Sequence, residues 1–133
     1  MRVIPRLLRY VWAFPNTAIG LIFVTIALLT GGRYQIVDGV LELWGGWLSS
    51  ILRRIPIAGG ASAITFGHVV LARDHHSVAV TRRHERVHVR QSELWGPAFI
   101  PAYLLAGLWA FVIGAGAYQG NYFEREAVRR ADA

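Results

Sequence analysis

His84-Glu85-Arg86-Val87-His88 is the stretch that decides how this chain is read. Histidines four apart project from one face of a helix. Both imidazoles then reach one metal ion, and this spacing on a helix suits zinc. Glu85 stands one step round, where a carboxylate can act as general base on a zinc-activated water. The alternative is a surface helix with two solvated histidines.

Working outward, the helix is expected from about Val80 to Leu94, ended by Gly96-Pro97. Arg73-Asp74-His75-His76-Ser77 reads as a polar turn, with His75 and His76 solvated. Ser62 to Leu71 reads as one strand, rich in Ile, Thr, Phe and Val. Alternation places Ile64, Phe66, His68 and Val70 on one face. His68 is then either a half-buried strand histidine or part of the site's lining. Gly59-Gly60 is a break. Trp44, Trp47, Leu48, Ile51, Leu52 and Ile55 repeat at three and four, which predicts a helix closed by Pro56. Its apolar face suits either a membrane interface or the protein core. Tyr34 to Leu43, around Asp38-Gly39, reads as a hairpin.

Two apolar runs flank this middle. Arg2, Arg6 and Arg9 form a basic stripe, followed by apolar sequence from Tyr10 to Thr30, broken only by Pro15, Asn16 and Thr17. It is expected to be an uncleaved membrane helix with a cytoplasmic N-terminus, or else a core helix. Ala98 to Tyr118 carries no charge over 21 residues, long enough to cross a bilayer. Two full spans would put Arg33, Arg53, Arg54, Arg73, Arg82, Arg83, Arg86 and Arg90 on the non-cytoplasmic side, against the positive-inside tendency. A re-entrant or monotopic arrangement avoids that conflict. Asn121 to Ala131 reads as a charged amphipathic helix with Phe123, Ala127 and Val128 on one side.

The composition agrees with a membrane setting. Of 133 residues, 54% are hydrophobic and 17% charged, and the mean hydropathy is +0.38. That is more apolar than an ordinary soluble domain. The net charge is +6 and every basic residue is Arg. With so much apolar sequence, the basic surface suits anionic lipid, and no nucleic-acid module accompanies it. There is no cysteine, so a zinc site must use His and carboxylate. That set suits a catalytic site with an open position better than a closed structural one. The length fits one domain, residues 1–133, with a membrane helix over 1–32 and a zinc-binding unit over 33–133.

Two histidines and a water leave tetrahedral zinc one ligand short. Outside the N-terminal half, the realistic donors are His68, His75, His76, Glu93, Glu124, Glu126 and Asp132. Glu93 follows His88 by five residues and so faces elsewhere on the helix. Glu124 and Glu126 lie on a separate helix, and the 35 residues between His88 and Glu124 allow the chain to go out and return. Gln91 continues the ligand face and is expected to pack or hydrogen-bond beside the site. Tyr103 and Tyr118 are candidate oxyanion donors.

The pair His84-Glu85-Arg86-Val87-His88 and Glu124-Arg125-Glu126-Ala127 resembles the gluzincin zinc metallopeptidases, in which H-E-x-x-H is followed by E-x-x-A on a later helix. His84-Glu85-Arg86-Val87-His88-Val89-Arg90-Gln91, Trp95-Gly96-Pro97 and Phe123-Glu124-Arg125-Glu126-Ala127 also look like a group of small bacterial membrane proteins. The gluzincin resemblance implies that His84, His88 and Glu124 bind zinc and that Glu85 is the base. It also implies a strand above the zinc helix that pairs with extended substrate, a place His68 could occupy. One position departs from the pattern. Many such enzymes carry Asp directly after E-x-x-A, where it supports a zinc histidine, and here that residue is Val128. Glu126 is the candidate substitute.

The expectation is therefore an α+β, helix-dominated minimal gluzincin-like fold with a small sheet, associated with the bacterial inner membrane. It would hydrolyse peptide bonds through zinc-activated water with Glu85 as general base. Its partners would be membrane lipid and a peptide or protein substrate. The alternative function is a non-catalytic membrane protein that uses the His/Glu cluster as a structural metal site or interaction module.

Overall fold

A computed structural model describes residues 5–55 and 61–131. Arg2, Pro56, Gly59, Gly60 and Asp132, which figure in the reading above, lie outside the described residues. Among the described residues, five helices and a four-stranded sheet make an α+β fold in the order α1 (Arg6–Leu29), β1 (Arg33–Val37), β2 (Val40–Trp44), α2 (Leu48–Arg53), β3 (Ala63–Phe66), β4 (Val69–Ala72), α3 (His75–Trp95), α4 (Phe99–Val112) and α5 (Tyr122–Ala131). A short 3-10 turn, Gly96–Ala98, joins α3 to α4.

The sheet order is β1-β2-β4-β3, with β2 and β4 parallel and the other pairs antiparallel. Asp38 and Gly39, both at positive φ, close the β1–β2 hairpin, as a two-residue turn of that type demands. The stretch expected as one strand is two. Phe66 pairs with Val69 across Gly67-His68, and Gly67 has φ +59. A Cβ there would also lie 2.2 Å from the Thr17 hydroxyl, so glycine is needed for both conformation and space. His68 therefore sits in a turn and not on a strand face.

Strand alternation divides the core in two. Leu41, Leu43, Ile64, Phe66, Val69 and Leu71 face Phe23, Val24 and Ala27 of α1. On the other face Val40, Ala63 and Val70 meet Val89 of α3. The sheet thus lies between α1 and α3, and residues of even number in β2 and β4 point at the histidine helix. Glu42 is among them. It is 1% exposed and accepts hydrogen bonds from Arg82 and Arg86 of α3. Those two arginines, expected on a solvated or headgroup face, are drawn to the sheet by this buried carboxylate.

Three further boundaries differ from expectation. Trp44 ends β2, and the helix begins only at Leu48, because Gly45 and Gly46 take positive φ. The helix α3 starts earlier than expected, because Asp74 caps it by accepting from the Ser77 amide at 2.7 Å. His75 and His76 thus lie in its first turn. In the second apolar run, α4 stops at Val112, and Gly114 and Gly116 take positive φ.

The first helix is not an appended anchor. Tyr10 donates to Gly39 O, Asn16 to Gly96 O, and Thr17 and Thr30 accept from the His68 and Trp47 amides. These bonds tie α1 to the folded unit along its length. Asn16 and Thr17, the polar breaks in the apolar run, are the residues that dock it. The remaining surface of α1 stays apolar and exposed, including Leu7, Val11, Phe14, Ile22 and Leu29, as do Leu104, Leu108, Phe111 and Val112 of α4. Two helical stretches, Arg6–Leu29 and His75–Val112, are long and apolar enough to cross a membrane.

Candidate metal centre

The geometry starts from α3. Its period puts His84, His88 and Gln91 on one face, and that face meets α5. Asn121, fully buried, sets the start of α5: its side chain accepts from the Phe123 amide at 2.9 Å and donates to Tyr103 O at 3.0 Å. Glu124 then falls in the first turn of α5, aimed at the histidines. His84 Nε2 and His88 Nε2 each lie 2.9 Å from the same Glu124 Oε1. One ligand atom from each residue lies within 4.8 Å of the others. Glu126 does not join this group.

The set fits zinc chemically. Two imidazole nitrogens and one carboxylate oxygen converge from two helices, the donor count and type of an open zinc site. The tautomer is fixed by an outer bond. Gln91 Nε2 donates to Phe123 O and Glu126 Oε1, both at 3.0 Å, so Gln91 Oε1 is left to accept from His88 Nδ1–H at 2.8 Å. The Nδ1 proton is held by Gln91, so Nε2 is the nitrogen turned towards Glu124 and the one that would take a metal once deprotonated. Glu126 thus acts on His88 through Gln91. Val128 is 52% exposed and takes no part, although the sequence put it beside Phe123 and Ala127. The Tyr103 hydroxyl donates to Glu124 Oε2, which leaves Oε1 for the metal position. Tyr103 was expected as a possible oxyanion donor, but its hydroxyl is committed to this carboxylate.

Glu85 is 5% exposed, and Thr65 of β3 donates to its carboxylate. Burial raises the Glu85 pKa, opposed by the neighbouring His88 and the Thr65 bond. His68 is remote in function from this group. Its Nε2 bonds Glu93 at 2.9 Å and its ring stacks on Tyr10. The turn at Gly67 carries it to the other face of α3. Glu93 faces away from the metal position, as its helical phase requires. Sequence reasoning missed Asn121, Tyr103's bond to Glu124, and the Thr65–Glu85 pair. Asn three residues before Glu124 has capping-box spacing, which is the one signal that could have found Asn121.

The side chains of the site hold charge in a specific way. Burial alone would raise the Glu124 pKa, but hydrogen bonds from His84, His88 and Tyr103 outweigh it and hold the carboxyl below its usual range. Burial alone would lower that of His88, but the Glu124 bond and the Glu85 charge raise it above an ordinary imidazole. A depressed carboxyl stabilises the fold above its unfolded value and loses that as pH falls through the folded one. A raised imidazole stabilises below about 6.5 and loses that as pH rises through its folded value. In protein stripped of metal by a chelator, the site is thus expected to stabilise most between about pH 4.5 and 6.5. Zinc needs the deprotonated Nε2 and must displace a proton from it. Zinc affinity is expected to climb about tenfold per pH unit above pH 6.5, measured by chelator competition. An affinity that levels off by pH 6.5 would contradict the His88–Glu124 coupling.

Comparison with protein-family models, curated proteins and solved structures finds no match to this chain.

Proposed function

We propose that this chain is a small membrane-associated zinc metallopeptidase of the gluzincin type. The observation that carries the reading is the approach of His84 and His88 to one oxygen of Glu124, with Glu85 buried beside them. Zinc, when bound, supplies a Lewis acid and lowers the pKa of water. Glu85 takes a proton from the attacking water and hands it to the leaving amine. Thr65 orients Glu85, and Gln91 with Glu126 orients His88. An edge strand of the sheet, β3, packs on α3, and among the described residues no further strand pairs with its outer side. An edge of this kind suits an extended peptide. His84, with 20% of its side chain exposed, marks the open side of the site.

Membrane association is supported by the exposed apolar faces of α1 and α4. The 14 residues of α4 rise about 21 Å, short of the ~30 Å hydrocarbon core. With α1 bonded to the folded unit along its length, a monotopic arrangement accounts for both. It also keeps the eight central arginines on the cytoplasmic side with the N-terminus.

One observation favours a second reading, a structural metal that clamps α3 to α5: Glu85 is buried and already bonded to Thr65. Metal analysis and an assay separate the outcomes. Purified protein is expected to carry one zinc per chain, His84→Ala almost none, and an unstructured protein substrate such as casein is cleaved only by the zinc form. Zinc without cleavage would assign the structural role, and wild-type protein unable to bind zinc would sink both.

A further inference from the structure

Across α3 from the histidines is a second cluster of polar groups. Arg86, Arg90 and Glu93 fall roughly half a turn round the helix from His84, at about 100° per residue. They meet Arg6, Arg9 and Tyr10 of α1 and His68 of the β3–β4 turn around a polar cavity of about 320 Å³. Asp38 and Glu93 are the acidic groups in its wall, so four arginines leave the wall net positive.

Two arginine donors of this wall are unused: Arg9 Nε and Arg86 Nη1 are buried with no hydrogen-bond partner among the described residues, and His68 Nδ1 likewise has none. His68 is 5% exposed, and its other ring nitrogen is already bonded to Glu93. A buried donor without an acceptor is costly, and both guanidinium groups carry one. Two such guanidinium nitrogens, with Arg6 and Arg90 beside them around one basic cavity, call for a ligand rich in acceptor oxygens. A phosphate group fits, because its oxygens engage several guanidinium groups at once, and the long arginine side chains can rotate to present their N–H groups.

A groove of about 360 Å³, lined by Leu8, Val11, Trp12 and Leu94, shares Arg9 and Glu93 with the cavity. Leu8 is 57% and Leu94 65% exposed, so the groove is an open apolar surface. A basic cavity running into an apolar groove matches one amphiphile with a phosphate head and a hydrocarbon tail. We propose that it binds an anionic phospholipid, the phosphate among Arg6, Arg9, Arg86 and Arg90 and one acyl chain along the groove. The site stands whether or not the metal centre is catalytic.

Titration calorimetry on the full chain in detergent tests it, with dioctanoyl phosphatidic acid as the probe. One saturable site is expected. Arg9→Gln and Arg90→Gln should each weaken it about tenfold, with an unchanged melting temperature. Arg90 is exposed, so its variant keeps the test valid if Arg9→Gln fails to fold. Leu8→Gln should weaken the lipid and leave inorganic phosphate unaffected. Dioctanoylglycerol, which lacks phosphate, should bind at least about tenfold more weakly. Equal binding of dioctanoylglycerol, or unchanged lipid binding in Arg90→Gln, overturns the proposal. Inorganic phosphate binding as tightly as the lipid would also overturn it, by assigning the cavity to a free phosphate compound.

Discussion

Glu85→Gln is expected to keep its zinc and to lose hydrolysis by about 10²- to 10⁴-fold, the usual contribution of a positioned general base. The substitution keeps the shape of the side chain. Its amide oxygen still accepts from the Thr65 hydroxyl, so β3 and α3 stay in register. The metal donors are untouched, because Glu85 points at β3 and the ligands point at α5. What the amide cannot do is accept a proton. Burial raises the Glu85 pKa, whereas a bound dication would favour the ionised base. Hydrolysis should therefore fall in kcat with little change in KM, and zinc content should stay at one per chain. Full activity in Glu85→Gln would remove Glu85 from the mechanism. Loss of zinc along with activity would make it a structural element of the metal centre.

The parts of this molecule legible in sequence are those set by local period. Two histidines and a glutamine at four and three spacing define a helix face without any knowledge of what packs on it. Asp38-Gly39 specifies its own turn. Glu124 was reached by motif, since its 35-residue separation from His88 carries no local signal. Gly67 shows the limit. Thr65-Phe66 and Val69-Val70 have the same β-preference, and a two-residue turn preserves apparent alternation, so one strand and a hairpin read alike. Asn16 and Thr17 looked like interruptions of a membrane helix, yet their partners, Gly96 and His68, lie 80 and 51 residues away. Glu42 is the plainest case. In sequence it is one charged residue in a hairpin. Only parallel pairing of β2 with β4, with α3 laid across that face, turns it into the buried partner of two arginines.

That buried carboxylate supports the second large effect: Glu42→Ala is expected to cost about 3 kcal/mol of stability, near the lower bound for breaking a buried ion pair. The carboxylate accepts from Gln35 at 2.9 Å, from two nitrogens of Arg82 at 3.0 Å, and from Arg86 at 2.9 Å. Alanine removes every one of those acceptors and leaves two guanidinium groups against an apolar sheet face. Arg82 and Arg86 retain 36% and 22% side-chain exposure, so water relieves part of the cost, which argues for the lower end. A domain of this size loses about 3 to 4 °C of Tm per kcal/mol, so a drop on the order of 10 °C should appear in thermal unfolding. Glu42→Gln retains one acceptor oxygen and should fall between the two. The decisive comparison is Glu42→Leu combined with Arg82→Met and Arg86→Met. Replacing a whole buried ion cluster by apolar groups is often neutral, so the triple variant should recover most of the loss. Equal destabilisation of single and triple variants would mean that lost packing, and not stranded charge, sets the cost.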